Sequence, residues 1–134
     1  MAEVRVSRFV STTPSELRRV LTPAAIIEHE GSFTVREVRE TAEGWTVLAK
    51  GGGMTVEIAF ESRTNGFRYE QRRGPLAQLE TTLTYDAENE GSRVTMVSVV
   101  QTGTPPRVIT DRVAAWKRRG ELQRALSGIA ADVE

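Results

Sequence analysis

The sequence predicts an α+β domain in which a curved antiparallel sheet of seven strands wraps around one long C-terminal helix. Three observations lead there. From Ser32 onward, apolar residues recur at every second position for about seventy residues, interrupted by turn signals. The final stretch, Pro105 to Glu134, contains no proline after its opening pair and reads as a single helix. At about 1.5 Å per residue, its roughly 25 to 28 helical positions span close to 40 Å, the width of a small domain. A meander of this length must curl, and its concave face needs a cover that only this helix is long enough to give.

The chain opens on a strand, with Val4, Val6 and Val10 alternating against polar neighbours. Thr13-Pro14 then starts a short helix, with Thr13 as N-cap, Glu16 completing a capping box, and Leu17, Val20 and Leu21 inward. Thr22-Pro23 repeats the signal for a second short helix over Ala24 to Glu30, with Ile26 and Ile27 inward and Gly31 as its stop. Six strands follow. Phe33, Val35 and Val38 mark the first, and their change of parity implies a bulge. Glu43-Gly44 turns into Trp45-Val47-Ala49, and Gly51-Gly52-Gly53 turns into Met54-Val56-Ile58-Phe60. Asn65-Gly66, a strong hairpin dipeptide, leads to Phe67-Tyr69-Gln71. Gly74-Pro75 leads to Leu79-Thr81-Leu83-Tyr85, and Asn89-Glu90-Gly91 leads to Val94-Met96-Ser98-Val100. Val97 and Val99 make this last strand apolar on both faces, as expected inside a sheet.

Composition narrows the function classes. At 134 residues the chain is one domain, residues 1–134, and its 39% apolar content suffices for one core. No apolar run approaches the roughly 18 to 20 residues that span a bilayer, so no membrane insertion is expected. Glu3, Arg5 and Arg8 interrupt the place where a signal peptide would be apolar, and the expected compartment is the cytoplasm. The absence of cysteine excludes disulfides, zinc–thiolate sites and cysteine nucleophiles. Basic and acidic residues balance at 18 each, so no net field recruits nucleic acid.

The long helix carries two apolar stripes. Ile109, Val113, Trp116 and Gly120 form one; Leu122, Leu126, Ile129 and Val133 form another, about a third of a turn round. The two halves are therefore expected to meet different surroundings, a cavity in front and packed sheet behind. This order of elements, with the stretch Thr110-Asp111-Arg112-Val113-Ala114-Ala115-Trp116-Lys117-Arg118-Arg119-Gly120-Glu121-Leu122, resembles the helix-grip fold of the START and Bet v 1-like superfamily, SRPBCC. The resemblance covers nearly the whole chain, Val4 to Val133; the superfamily includes polyketide cyclase/dehydrase-like proteins, and the C-terminal stretch looks like that of its small members. It implies a cavity between sheet and helix; superfamily members include lipid and hormone carriers, cyclases, dehydratases and partners of chaperones. It implies no cofactor and supplies no universal catalytic motif.

His29, the only histidine, sits at a helix end where a cationic tip complements the dipole, and it lacks partners for a metal site. The Gly51–Gly53 run leads into a strand rather than a helix, so it reads as a wide, flexible hairpin turn and not a phosphate loop. Basic clusters at Arg68, Arg72 and Arg73 and at Lys117-Arg118-Arg119 read as solvated faces. More informative are the polar residues at inward parity: Tyr69, Gln71, Thr81, Tyr85 and Ser98. They fit either a hydrogen-bonded solid core or an apolar pocket with a few polar anchors.

The leading expectation is a binder or carrier of a small hydrophobic molecule. Its walls would be Ile58, Phe60, Tyr69, Leu83, Val113 and Trp116, with Gln71, Thr81 and Arg112 orienting the ligand. Arg112 is assigned to the stripe continued by Leu122, Leu126 and Ile129, reaching under the open end of the sheet. A cyclase- or dehydratase-like enzyme is the alternative, with Tyr69, Tyr85 and Arg112 available and no carboxylate or histidine evidently inward. An interaction module with a solid core is the third; no protein partner is named by the sequence.

Overall fold

The computed structural model describes residues 1–134. Its elements are β1 (Ala2–Val10), α1 (Pro14–Val20), α2 (Pro23–Glu30), β2 (Thr34–Glu40), β3 (Gly44–Gly51), β4 (Met54–Arg63), β5 (Gly66–Arg73), β6 (Gln78–Glu88), β7 (Gly91–Gln101) and α3 (Arg107–Val133). The strands form one curved antiparallel sheet in the order β1-β7-β6-β5-β4-β3-β2, so the expected α+β architecture is the observed one. The first strand returns beside the last, which leaves β1 and β2 as the edges.

Local chemistry sets the boundaries. Thr13 and Thr22 cap α1 and α2 by accepting from the amides of Glu16 and Ala25, at 3.2 and 3.1 Å, and a proline follows each at the first helical position. Gly31 ends α2 with φ of 85°, the left-handed cap. The bulge in β2 lies between Val35 and Glu37. At Gly51–Gly53 the sequence reading needs correction: Gly51 pairs with Met54, and only Gly52 and Gly53, with φ of 57° and 77°, form the turn. Positive φ at both central residues is the geometry of a tight primed hairpin, not of a wide loop. The neighbouring hairpin is likewise shifted, for Gly66 already pairs with Arg63 and the turn is Thr64-Asn65.

Inward parity holds along the sheet. Val4, Val6 and Val10, Val47 and Ala49, Val56, Ile58 and Phe60, Phe67 and Tyr69, Leu83 and Tyr85, and Val94, Met96 and Val100 are all buried. Against them α3 sets Leu122, Ala125, Leu126, Ile129 and Ala130, while α1 and α2 add Leu17, Ile26 and Ile27. His29 ties the two helix ends together, its Nε2 lying 2.7 Å from Asp132 Oδ2. Its ring lies against Gly128, where a β-carbon would collide with it.

The second apolar stripe of α3 is thus core, but the first is not. Val108, Ile109, Val113 and Trp116 are all exposed, Trp116 by 77%. The two stripes face nearly opposite ways, more than the sequence reading allowed, so the front half of α3 presents its apolar side to solvent. What anchors that half is polar. Asp111 is buried, bonds the N-terminal amine of Met1, and accepts from Thr102 N at 2.9 Å and Thr102 Oγ1 at 3.0 Å.

The amine of Met1 and the Thr102 donors hold the Asp111 carboxyl down to about 2, below its ordinary 3.8. A carboxylate lowered on folding stabilises the fold above its ordinary value, and that contribution fades as pH falls toward the folded value. Asp111→Asn is therefore expected to lower the urea midpoint near neutral pH. The gap to the parent protein should close between about pH 4 and pH 2. A gap that persists unchanged at low pH contradicts this role for the carboxylate.

Candidate functional site

Between α3 and the sheet, where an apolar cavity was expected, lies a buried cluster of charge. Arg118 is 3% exposed and spends all five N–H donors inside the protein. Nη1 donates to Glu30 Oε1 at 2.6 Å and Glu121 Oε1 at 3.1 Å. Nη2 donates to Glu30 Oε2 at 3.0 Å and Thr81 Oγ1 at 2.8 Å, and Nε donates to Ser98 Oγ at 3.0 Å. Tyr69 Oη donates to Glu30 Oε2 at 2.5 Å, Ser32 Oγ donates to Glu121, and Thr81 and Ser98 bond each other at 2.9 Å. Arg124 Nε adds a bond to the Glu30 carbonyl at 3.0 Å. No buried side-chain polar atom lacks a partner.

Two carboxylates face one guanidinium here, and the hydroxyls of Tyr69 and Ser32 serve the remaining acceptors. Burial opposes the charge on Arg118, but Glu30, the Tyr69 oxygen and Glu121 outweigh it and raise its pKa, so it stays cationic. Burial, reinforced by the Glu30 carboxylate, pushes the Tyr69 phenol well above its usual value, and Arg118 only partly offsets this. The cluster therefore fixes α2, β5, β6, β7 and α3 to one point. It leaves beside it a gap of only about 30 Å³, room for about two waters.

A roomier and largely apolar concave site lies at the other end of the sheet. A cavity of about 410 Å³ opens beneath the α1–α2 junction, walled by Leu21, Pro23, Trp45, Phe67 and Tyr85, with Val38 on its rim. Its polar groups are Arg18, Thr22, Ser62 and Arg63, and no carboxylate lines it. Arg18 donates only to Thr64 O, at 3.5 Å, and Arg63 stands 3.7 Å from Glu61. An aromatic row joins cavity and cluster. Trp45 meets Phe67 edge-on at 5.9 Å, Phe67 meets Phe60 at 6.0 Å, and Phe60 stacks on Tyr69 at 4.5 Å.

The residues singled out from sequence divide accordingly. Ile58, Phe60, Tyr69, Thr81 and Leu83 are buried on the inner wall, with Gln71 half-buried beside them, its amide donating to Leu76 O at 3.1 Å. Arg112, Val113 and Trp116 are not brought to that wall; all three lie on the exposed side of α3. Successive 100° steps explain the difference, because Arg118, four residues before Leu122 and eleven before Ile129, occupies the inward stripe that Arg112 was assigned to. Sequence reasoning set Arg118 aside as part of a basic run and saw no inward carboxylate, whereas Glu30 and Glu121 both point in. The heptad-like spacing of Arg118, Leu122, Ala125 and Ile129 was the available signal.

Removing the guanidinium leaves two buried carboxylates unpaired, which costs about 3 to 5 kcal/mol in comparable sites. Arg118→Met is expected to lose stability on that scale in urea unfolding. Adding Glu30→Gln to it should recover part of the loss, because the second change removes an orphaned charge. Equal or additive losses would contradict the coupling.

No family model matches the sequence, and no curated protein matches it. Solved structures do. A START superfamily protein from Mycobacterium smegmatis superposes with a TM-score of 0.73 at 8% identity, over 98% of this chain and 96% of that one. The di-domain ARO/CYC protein BexL of the BE-7585A biosynthetic pathway gives 0.73 at 16% identity, over 98% of this chain and 49% of its own length. The protein TTHA0849 from Thermus thermophilus gives 0.68 at 19% identity, over 99% and 100%. These likenesses show the fold: the chain folds as a helix-grip domain, like the START superfamily protein it superposes on.

Proposed function

We propose that the protein binds a small hydrophobic molecule, and that it does so beneath the α1–α2 junction rather than under the middle of α3. The carrying observation is the cavity of about 410 Å³ with Trp45, Phe67, Tyr85, Leu21 and Pro23 in its walls. That volume and that mixture of apolar walls with a few polar groups are typical of small-molecule sites. Arg18, Arg63 and the Tyr85 hydroxyl stand ready to orient a polar end, and with no acid in the lining that end is neutral or anionic. The fold is one in which ligand binding is common, which supports the reading without naming a ligand.

In this reading Ile58, Phe60, Tyr69, Thr81 and Leu83 form the packed floor, and the aromatic row links the cavity to that floor. A cyclase- or dehydratase-like reaction at Tyr69, Glu30 and Arg118 is less well supported. A gap of about 30 Å³ admits no organic substrate, and every Arg118 donor is already engaged. The cluster is better suited to holding the scaffold that shapes the cavity.

Titration with 1-anilinonaphthalene-8-sulfonate, an apolar fluorophore with an anionic group, tests the reading. Saturable one-site binding is expected. Ala24→Phe, which fills the cavity from its half-buried helical rim, should weaken it by at least about tenfold, while Arg18→Gln weakens it less. Unfolding midpoints should stay close to the parent's. Undiminished binding to Ala24→Phe would remove the cavity from consideration.

A further inference from the structure

The front half of α3 carries an apolar stripe that nothing in the protein covers. Ile109, Val113 and Trp116 follow at four- and three-residue spacing on the side turned away from the sheet. Single exposed hydrophobics mean little, but a contiguous stripe marks an interaction surface. Cations bracket it: Arg112 and Arg119 along one side, Lys117 and Arg124 along the other. All four are exposed, and none has a carboxylate within 4.0 Å. The acids of this part of the helix, Asp111 and Glu121, are both buried.

The start of the helix adds to the imbalance. Its first turn has no acidic residue and no side-chain cap, and its first residue is Arg107. The helix thus begins with a cation and no acidic side chain in its first turn, which adds to the positive charge of this end.

We propose that this face docks on an anionic lipid bilayer, with α3 lying along the headgroup layer and Trp116 at the acyl boundary. A bilayer surface matches both features, acidic headgroups for the cations and an apolar boundary for the stripe, with tryptophan at its favoured depth. A symmetric second copy would set this cationic face against itself. Single-stranded nucleic acid would use the cations and Trp116 but would gain nothing from Ile109 and Val113. The contact is peripheral, since no helix is long and apolar enough to cross a membrane.

Sedimentation with vesicles tests this on the full chain. Vesicles of phosphatidylcholine with about one-third phosphatidylserine should carry the protein down, and phosphatidylcholine alone should not. Each cation removed is expected to weaken partitioning by roughly fivefold, so Arg112→Glu with Lys117→Glu should abolish it, as should roughly 0.5 M salt. Trp116→Ala should weaken it, and the blue shift of emission on binding should vanish in Trp116→Phe. All these positions are exposed, and unchanged circular dichroism and unfolding midpoints verify each variant. Each of these results would overturn the proposal: no sedimentation with anionic vesicles at low salt, equal binding by the charge-reversed variant, or a dimer that Trp116→Ala dissociates. Preference for soluble polyglutamate over vesicles would overturn it in favour of an acidic protein partner.

Discussion

Arg118 holds the centre of this molecule because a guanidinium has five donors in one plane and this one has found five acceptors. Those acceptors come from α2, α3, β6 and β7, and the Tyr69 bond to Glu30 adds β5. Charge in an interior is tolerable only when fully paired and hydrogen-bonded, which makes the cluster a condition on the fold rather than an ornament of it. The helix cannot slide along the sheet without stranding a carboxylate. Leu122, Leu126 and Ile129 supply the larger area of burial behind it, but apolar contacts specify position less sharply.

The same constraint decides where a ligand can go. A polar plug with side chains from five elements fills the space that a helix-grip fold can leave open. What remains free is the end of the sheet beyond Phe60 and Phe67, where two proline-started helices bridge the opening without filling it. Thr22-Pro23 forces a break between α1 and α2, and Leu21 and Pro23 at that break become cavity wall. The front of α3 is held by Asp111 instead of by apolar packing, and so is free to show its hydrophobic side outward.

Element order, strand parity, both threonine caps and the β2 bulge were legible in the sequence, because each depends on neighbours a few residues away. Tyr69, Thr81 and Ser98 were rightly placed inward by alternation, though their shared partner was not identified. The missing piece was Arg118, hidden between Lys117 and Arg119 in a run that composition alone describes as surface. Its acceptor Glu30 lies 88 residues away, beyond the reach of any local pattern. Trp116 failed for the converse reason. A large aromatic on a helical stripe normally means core, and only the tertiary arrangement shows that the sheet lies on the other side.

The central claim is that the Arg118 cluster closes the interior and displaces the ligand space to the α1–α2 end. Amide chemical-shift mapping during titration with 1-anilinonaphthalene-8-sulfonate tests it most directly. The account predicts that the largest shifts fall at Leu21, Thr22, Ala24, Gly66, Phe67 and Tyr85, with Thr81, Ser98 and Arg118 little changed. Largest shifts at Thr81, Ser98 and Arg118, with the α1–α2 junction silent, would contradict it.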